Sequence, residues 1–267
     1  MRRLQFYYST KLTFNHHVQD HSYLLRCIPM ETMGQHIVQY HFSMLPNQYV
    51  NESTDAFGNR VLSGFIASPH RYLDFVVQGI AERDDSIRKT DFMPCYRYQT
   101  AMTKPDAAML DFFQQCKSVS SGEDSLSEQI KIWMHQLFTY MQYEKRSTDV
   151  TTTAAQAFAA GKGVCQDYTH IFLSLLRMQQ IPCRYLAGLA FQEGETHSWL
   201  EYWDGSGWVG IDPTNDRTTD EGYLVLSQGR DAQDCSLSRG TMFGAYTQQM
   251  QWVETRLETI FSAATGV

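Results

Sequence analysis

The sequence predicts an α+β protein: a mainly antiparallel, sandwich-like β module over residues 1–90, then a mixed helix-and-sheet unit over residues 91–267. Three observations predict it. Short runs rich in aromatic and β-branched residues, separated by turn-prone segments, fill the chain up to Glu82. Apolar residues spaced three and four apart dominate the stretch from Lys104 to Gln180. Strand signals then return from Cys183 onward.

In order, "LQFYYSTKLTF", "YLLRCIPM", "QHIVQYHFSMLP" and "YLDFVVQGIAE" read as strands, with "FNHHVQDHS", "PNQ" and "DAFGNR" as the turns between them. "DDSIRKTDFMP" reads as an exit linker. "KPDAAMLDFFQQCKS" follows as a short helix, then "SLSEQIKIWMHQLFTYMQYEK", where Ser125 and Glu128 have capping-box spacing. "TTTAAQAFAAG" is a third helix, closed by Gly161 as a C-cap glycine. A fourth begins at Cys165 and buries Tyr168, Ile171, Phe172, Leu175 and Leu176 on one face. It stops before Ile181-Pro182, because proline lacks an N–H and restricts the residue ahead of it. "CRYLAGLAF", "HSWLEYW" and "GWVGIDP" are strands, and "FGAYTQQMQWVETRLETIF" alternates as one more.

Composition narrows the function. The 267 residues are 43% apolar and 19% charged, as in ordinary globular proteins. With 22 Lys+Arg against 29 Asp+Glu the net charge is −7, and no basic run stands out, so neither nucleic acid nor a membrane is an expected partner. No apolar run approaches the roughly 18 residues of a membrane span. Six scattered cysteines without a C-x-x-C pair suit a reduced, cytoplasmic chain. His16, His17, Asp20 and His21 fit no standard metal-ligand spacing, and "AGKGV" lacks the signature of a phosphate loop. No metal or cofactor is expected.

Two features carry chemistry. Cys165 lies at a helix N-terminus, where unpaired N–H groups and the macrodipole favour a thiolate. Downstream, "THSWLEYWDGSGWVGIDPT" reads as a hairpin. A two-residue Asp204-Gly205 type I′ turn puts His197 directly opposite Asp212, with Cβ atoms about 4.5–5.5 Å apart. A four-residue loop from Asp204 to Gly207 keeps both on one face; a three-residue loop separates them. Leu200, Val209 and Ile211 take the other face. Cysteine, imidazole and carboxylate then form a nucleophile–base–orienter set. Asp167 and Gln166 read as helix-capping residues, and Cys27, Cys95, Cys116, Cys183 and Cys235 as packing.

These blocks, "GKGVCQDYTHIFLSLLRMQQIPCRYLAG", "HSWLEYW" and "GWVGIDPTND", resemble the bacterial transglutaminase-like cysteine peptidases, which have a papain-like Cys-His-Asp core. "RCIPMETMGQHIVQYHFSMLPNQYVNESTDAFGNRV" is similar to the N-terminal β region that accompanies such cores, and "YLVLSQGRDAQDCSLSRGTMFGA" to the segment after them. Gln180 departs from the glycine usual in the family. The resemblance implies a helix bearing the cysteine packed on an antiparallel sheet bearing His197 and Asp212, with Cys165 as nucleophile. It implies a peptide, protein or other amide substrate and a thioester acyl-enzyme, with water or an amine as acceptor. Tyr143 is the expected second oxyanion donor beside the Cys165 N–H, and Trp199, on the His197 face, reads as a cleft wall or equally as packing. The competing expectation is a binding scaffold with the three groups idle.

Overall fold

A computed structural model describes residues 1–47, 49–87, 90–120, 123–191, 194–244 and 248–260. Strand β1 (Arg2–Leu25) organises the first part. In its first half Leu4, Phe6, Tyr8 and Thr10 point inward while the residues between them face out. That half lies between β5 (His70–Arg83) and β14 (Gln249–Thr259), and β2 (Gln35–Leu45) pairs with β5. The second half lies between β4 (Arg60–Ile66) and β13 (Ser238–Phe243), with β3 (Asn51–Thr54) outside β4.

The expected turn over "FNHHVQDHS" does not form. The strand continues through it with register shifts and a left-handed residue at Asp20, φ 50°. Partners remote in sequence hold it extended: His21 pairs with Ile66, and its Nδ1 meets Nε2 of His70 at 3.1 Å. Local turn propensity cannot register such partners.

The segment after β5 has little regular structure beyond a 3-10 turn at Pro94–Arg97, but it is pinned. The Asp91 carboxylate pairs with buried Arg184 at 2.7 Å, and its carbonyl accepts the Trp208 indole N–H at 2.6 Å. Helix α1 (Ala107–Val119) starts on Asp106, and α2 (Leu126–Tyr140) on the reciprocal Ser125–Glu128 capping box. The second helix is shorter than its periodicity predicts. Met141 is extended and Gln142–Tyr143 forms a short strand, β6, parallel to β7 (Lys162–Gly163). Between them α3 (Ala154–Ala160) opens on a Thr153–Gln156 box and closes on Gly161 at φ 65°, a conformation free of steric penalty only for glycine.

Helix α4 (Cys165–Met178) runs through the middle of the second part and is buried on every side from Asp167 to Arg177, not on a single face. Tyr168, Ile171, Phe172 and Leu175 share one core with Trp133 and Leu137 of α2, Phe158 of α3, and Leu200 and Ile211 of the sheet. That sheet comprises β8 (Cys183–Ala190), β9 (His197–Trp203), β10 (Trp208–Asp212), β11 (Arg217–Thr218) and β12 (Tyr223–Gly229). Its order is β11-β10-β9-β8-β12.

The two parts are fused. Leu189, Leu224 and Leu226 of the second sheet belong to the same core as Leu4, Phe6, Phe75 and Val77 of the first. Two buried amides cap the free edge of β12: Gln35 bonds both the N–H and the C=O of Val225, and Asn59 does the same for Gln228. An edge strand that would otherwise bury unpaired backbone groups is thereby satisfied. The chain also returns at its end. Strands β13 and β14 complete the first sheets, so the expected division into residues 1–90 and 91–267 misplaces residues 238–259. Leu224→Ala should therefore cost about 2–5 kcal/mol. Both parts should melt together in one lowered denaturant transition, followed by tryptophan fluorescence and far-UV circular dichroism.

Candidate active site

The turn into α4 is built by a carboxylate rather than by its N-cap residue. Val164 has no capping oxygen. Instead Asp167 reaches back to accept the Val164 N–H at 2.8 Å and the Thr148 hydroxyl at 2.6 Å. Asp167 thus caps the helix start, as its position suggests; the Gln166 side chain makes no such bond and lines the cleft. The N–H groups of Cys165 and Gln166 fall in the first turn, which has no intrahelical acceptor. Cys165 itself is only partly buried. Four of the other cysteines are fully buried. Burial pushes the thiol of Cys27 up to about 12 and those of Cys116 and Cys183 to about 11, and raises Cys235 well above its ordinary value.

The hairpin takes the longer of its two same-face registers. Trp203 pairs with Trp208 and Leu200 with Ile211, leaving Asp204 to Gly207 as the loop. A type I′ turn needs positive φ at both central residues, and only Gly205 has it, at 102°. Asp204 instead uses its carboxylate to accept the N–H groups of Ser206 and Gly207 at 2.8 and 3.0 Å. The shift of two residues preserves the face. His197 and Asp212 sit diagonally and meet through Nε2 and Oδ2 at 2.8 Å.

His197 is 3% exposed and Asp212 fully buried. With Nε2 committed to Asp212, the other ring nitrogen, Nδ1, serves the hydrogen bond to the Cys165 side chain. Burial by itself would lower the imidazole pKa. The hydrogen bonds to Asp212 and Cys165, with the attraction of their negative charges, outweigh it and raise His197 to about 10. Burial likewise opposes ionisation of Asp212. Its bonds from His197, Asn215 and Tyr223 prevail and hold it below the usual carboxylate value. The donors to Oδ2 are His197, Asn215 Nδ2 and the Tyr223 hydroxyl, each at 2.8 Å, while Oδ1 accepts the Thr214 N–H at 3.0 Å.

Tyr223 escaped the sequence reading. Its only local signal is a continuous apolar run after Gly222, and its contact with Asp212 depends on β12 lying beside β8. Of its two readings, cleft wall and packing, Trp199 takes packing. It is 1% exposed, directly across from Asp212 in the observed register, and lies behind the His197 ring, with centroids 6.1 Å apart and planes 18° apart. It supports the imidazole and does not wall the cleft. Gly188, paired with His197, leaves room for it: a Cβ there would meet the Leu224 carbonyl oxygen and lie 2.8 Å from the Trp199 ring.

Cys165 and His197 open into a cleft of about 1200 Å³ that Tyr143, Gln166 and Asn215 also line. The opposite wall comes from the first sheets, through residues of β13 and β14 such as Arg239, Gln249 and Val253. The terminal strands therefore help to shape the site. Among the described residues, no cluster of three or more His, Cys, Asp or Glu could hold a metal ion, and no helix is long and apolar enough to cross a membrane.

A cysteine at the start of a buried helix, set against a histidine and an aspartate on an antiparallel sheet, defines a papain-like, cysteine-protease-like fold. Residues 114–213 match the family described as the transglutaminase-like superfamily, and residues 4–82 the bacterial transglutaminase-like N-terminal region. The chain thus carries a transglutaminase-like core together with the bacterial transglutaminase-like N-terminal region. A solved structure of a candidate cysteine protease from Cytophaga hutchinsonii superposes on 99% of this chain and 93% of its own. The TM-score is 0.78 at 16% identity, a likeness of fold. An uncharacterized protein of Mycobacterium leprae is 34% identical over 114 residues, 39% of this chain and 40% of that relative. One from Mycobacterium tuberculosis is 28% identical over 134 residues, 44% of this chain and 43% of its own. The match thus spans about two fifths of the length of these curated relatives.

Proposed function

We propose that the protein hydrolyses amides through a Cys165 thioester, as a cysteine peptidase or amidase. The observation that supports this is the relay just described: Asp212 holds His197 through Nε2 and so turns Nδ1 to the Cys165 sulfur. In this reading the thiolate attacks the amide carbonyl carbon, and the oxyanion is met by the Cys165 N–H, a donor worth about 2.7–4 kcal/mol. Tyr143, on the cleft lining, is assigned as the second donor. As the C–N bond breaks, Nδ1–H protonates the departing amine. Nδ1 then takes a proton from water, which attacks the thioester and frees the acid and the thiolate. Asp212 fixes the ring orientation and stabilises the imidazolium in both halves. The substrate is a peptide, protein or other amide. A reducing, cytoplasmic setting belongs to the same reading, supported by six cysteines that are all unpaired.

Thiol labelling near neutral pH tests the nucleophile. Cys165 should react with a neutral alkylating probe at least about tenfold faster than the other five cysteines, Cys27, Cys95, Cys116, Cys183 and Cys235. Equal rates, read by peptide mass mapping, would sink the assignment. Incubation with a glutamine donor, with and without a labelled amine, separates hydrolysis from amine transfer. Amine incorporation outrunning release of free acid would reassign the acceptor.

The pH dependence has a definite sign. A raised histidine pKa means the imidazolium persists from below 6.5 up to about 10, and its stabilisation is lost as pH rises through that upper value. Asp212, held low, contributes its stabilisation above the ordinary 3.8 and loses it as pH falls below that. The alkaline limb of kcat/KM should therefore lie near pH 10. A limb near 6.5, the ordinary histidine value, would contradict the ion pair.

A further inference from the structure

The cleft is charged unlike the chain that forms it. The protein carries −7 overall. Outside the Cys-His-Asp set, however, the charged residues lining the cleft among the described residues are Lys145, Arg146 and Arg239 against one carboxylate, Glu195. Lys145 and Glu195 pair with each other at 3.2 Å. That leaves Arg146 and Arg239, both exposed, as guanidinium groups without an acidic or hydrogen-bonding partner among the described residues.

They stand on different walls. Arg239 belongs to β13 of the first part, and Arg146 to the turn that follows β6. Arg146 has a left-handed backbone, φ 66°, in a turn where Ser147 bonds the Glu144 carbonyl through its N–H at 3.4 Å and its hydroxyl at 2.7 Å. Glycine adopts such a conformation without penalty, and a residue with a Cβ does not. Among the described residues no hydrogen bond, ion pair or ring contact of the Arg146 side chain offsets that strain, so the position favours a cation for what it meets outside the fold. Much of the lining near them is neutral and polar, with Gln166, Asn215, Gln249 and Gln251 able to bond peptide groups. A guanidinium matches a carboxylate in a two-point hydrogen-bonded fork.

We propose that Arg146 and Arg239 make the cleft selective for acidic peptides, the amide attacked by Cys165 being flanked by carboxylate-bearing residues. The inference rests on the Cys165 reading above and adds the substrate class. A long polyanion suits the site less, because the rest of a −7 surface would repel it.

The test compares alkylation of Cys165 by iodoacetate and by iodoacetamide. In both, the thiolate forms a C–S bond to the same carbon and iodide leaves, so the charge of the reagent is the main difference. The iodoacetate-to-iodoacetamide rate ratio at Cys165 should exceed that of free cysteine by about tenfold at low salt and shrink at high salt. Arg146→Glu with Arg239→Glu should bring it below the free-cysteine value. Arg146→Gly, which keeps the turn unstrained, and Arg239→Gln should each lower it if the double variant fails to fold. Blocked hexaglutamate should protect Cys165 from iodoacetamide in the wild type, and blocked hexalysine should not. A ratio indifferent to salt and to both arginines, or protection that is equal or absent for the two peptides, would overturn the proposal. Slow iodoacetamide reaction at Cys165 itself would instead remove the nucleophile reading, and this inference with it.

Discussion

Cys165→Ala should bring amide turnover down to the uncatalysed background while leaving the fold in place. The thiol is the one group in the cleft able to form the acyl-enzyme, and no other cysteine lines the reacting end except buried Cys235, whose thiol is held protonated. The substitution removes one atom from a partly exposed position, so the loss of packing is small. A change in thermal midpoint of no more than a few degrees, corresponding to about 1 kcal/mol or less, is expected. Steady-state hydrolysis and a melting curve on the same sample check both halves. Wild-type-like turnover would falsify the thioester mechanism. A collapsed melting curve would show instead that the sulfur is structural.

Asp212→Asn should lower kcat/KM by on the order of 10²–10⁴-fold, the span of general acid–base catalysis. The size follows from the tautomer. As a carboxylate, Asp212 can only accept, so Nε2 of His197 must carry a proton and Nδ1 is left to exchange one with sulfur. An amide can turn its NH2 toward Nε2, which then accepts, and the proton moves to Nδ1, where it blocks uptake from the thiol. Tyr223 and Asn215 also donate to the oxygen that is bonded to His197, and the Thr214 N–H to the other oxygen, so neither orientation of the amide satisfies all four donors without rearranging. With the negative charge gone, the alkaline limb of the pH profile should move down from about 10 toward 6.5. A variant with wild-type kcat/KM and an unshifted limb would show that Asp212 serves packing alone. Tyr223→Phe removes one donor and should shift the limb in the opposite sense, since an Asp212 with fewer bonds holds its charge more exposed to His197.

The helices were legible because their signals are local. Ser125 with Glu128, and Gly161, are caps whose partners lie within four residues, and the structure uses each where its spacing indicates; the Thr153–Gln156 box has the same spacing and went unread. The end of α2 was less so: nothing in "YMQYEK" announces that Gln142 and Tyr143 will pair with Lys162 and Gly163. The shared face of His197 and Asp212 survived a mistaken turn type because a two-residue slip in register leaves side-chain parity unchanged. Trp199 keeps the same face, and packing against Leu186 and Tyr223 decides between its two readings and sets it behind the histidine.

By itself the sequence determined where a thiol begins a helix, which residues build that helix, and that an imidazole and a carboxylate lie on one side of the following ribbon. Periodicity, caps and strand alternation act over a few residues, and a few residues suffice to read them. Tertiary structure alone decided that Tyr223 completes the seat of Asp212, that Gln35 and Asn59 close the edge of β12, and that β13 and β14 return to β1 to wall the cleft. Those contacts join residues as far apart as Leu4 and Thr259. They are selected by which apolar faces can be buried together, a property of the whole chain that no short window contains.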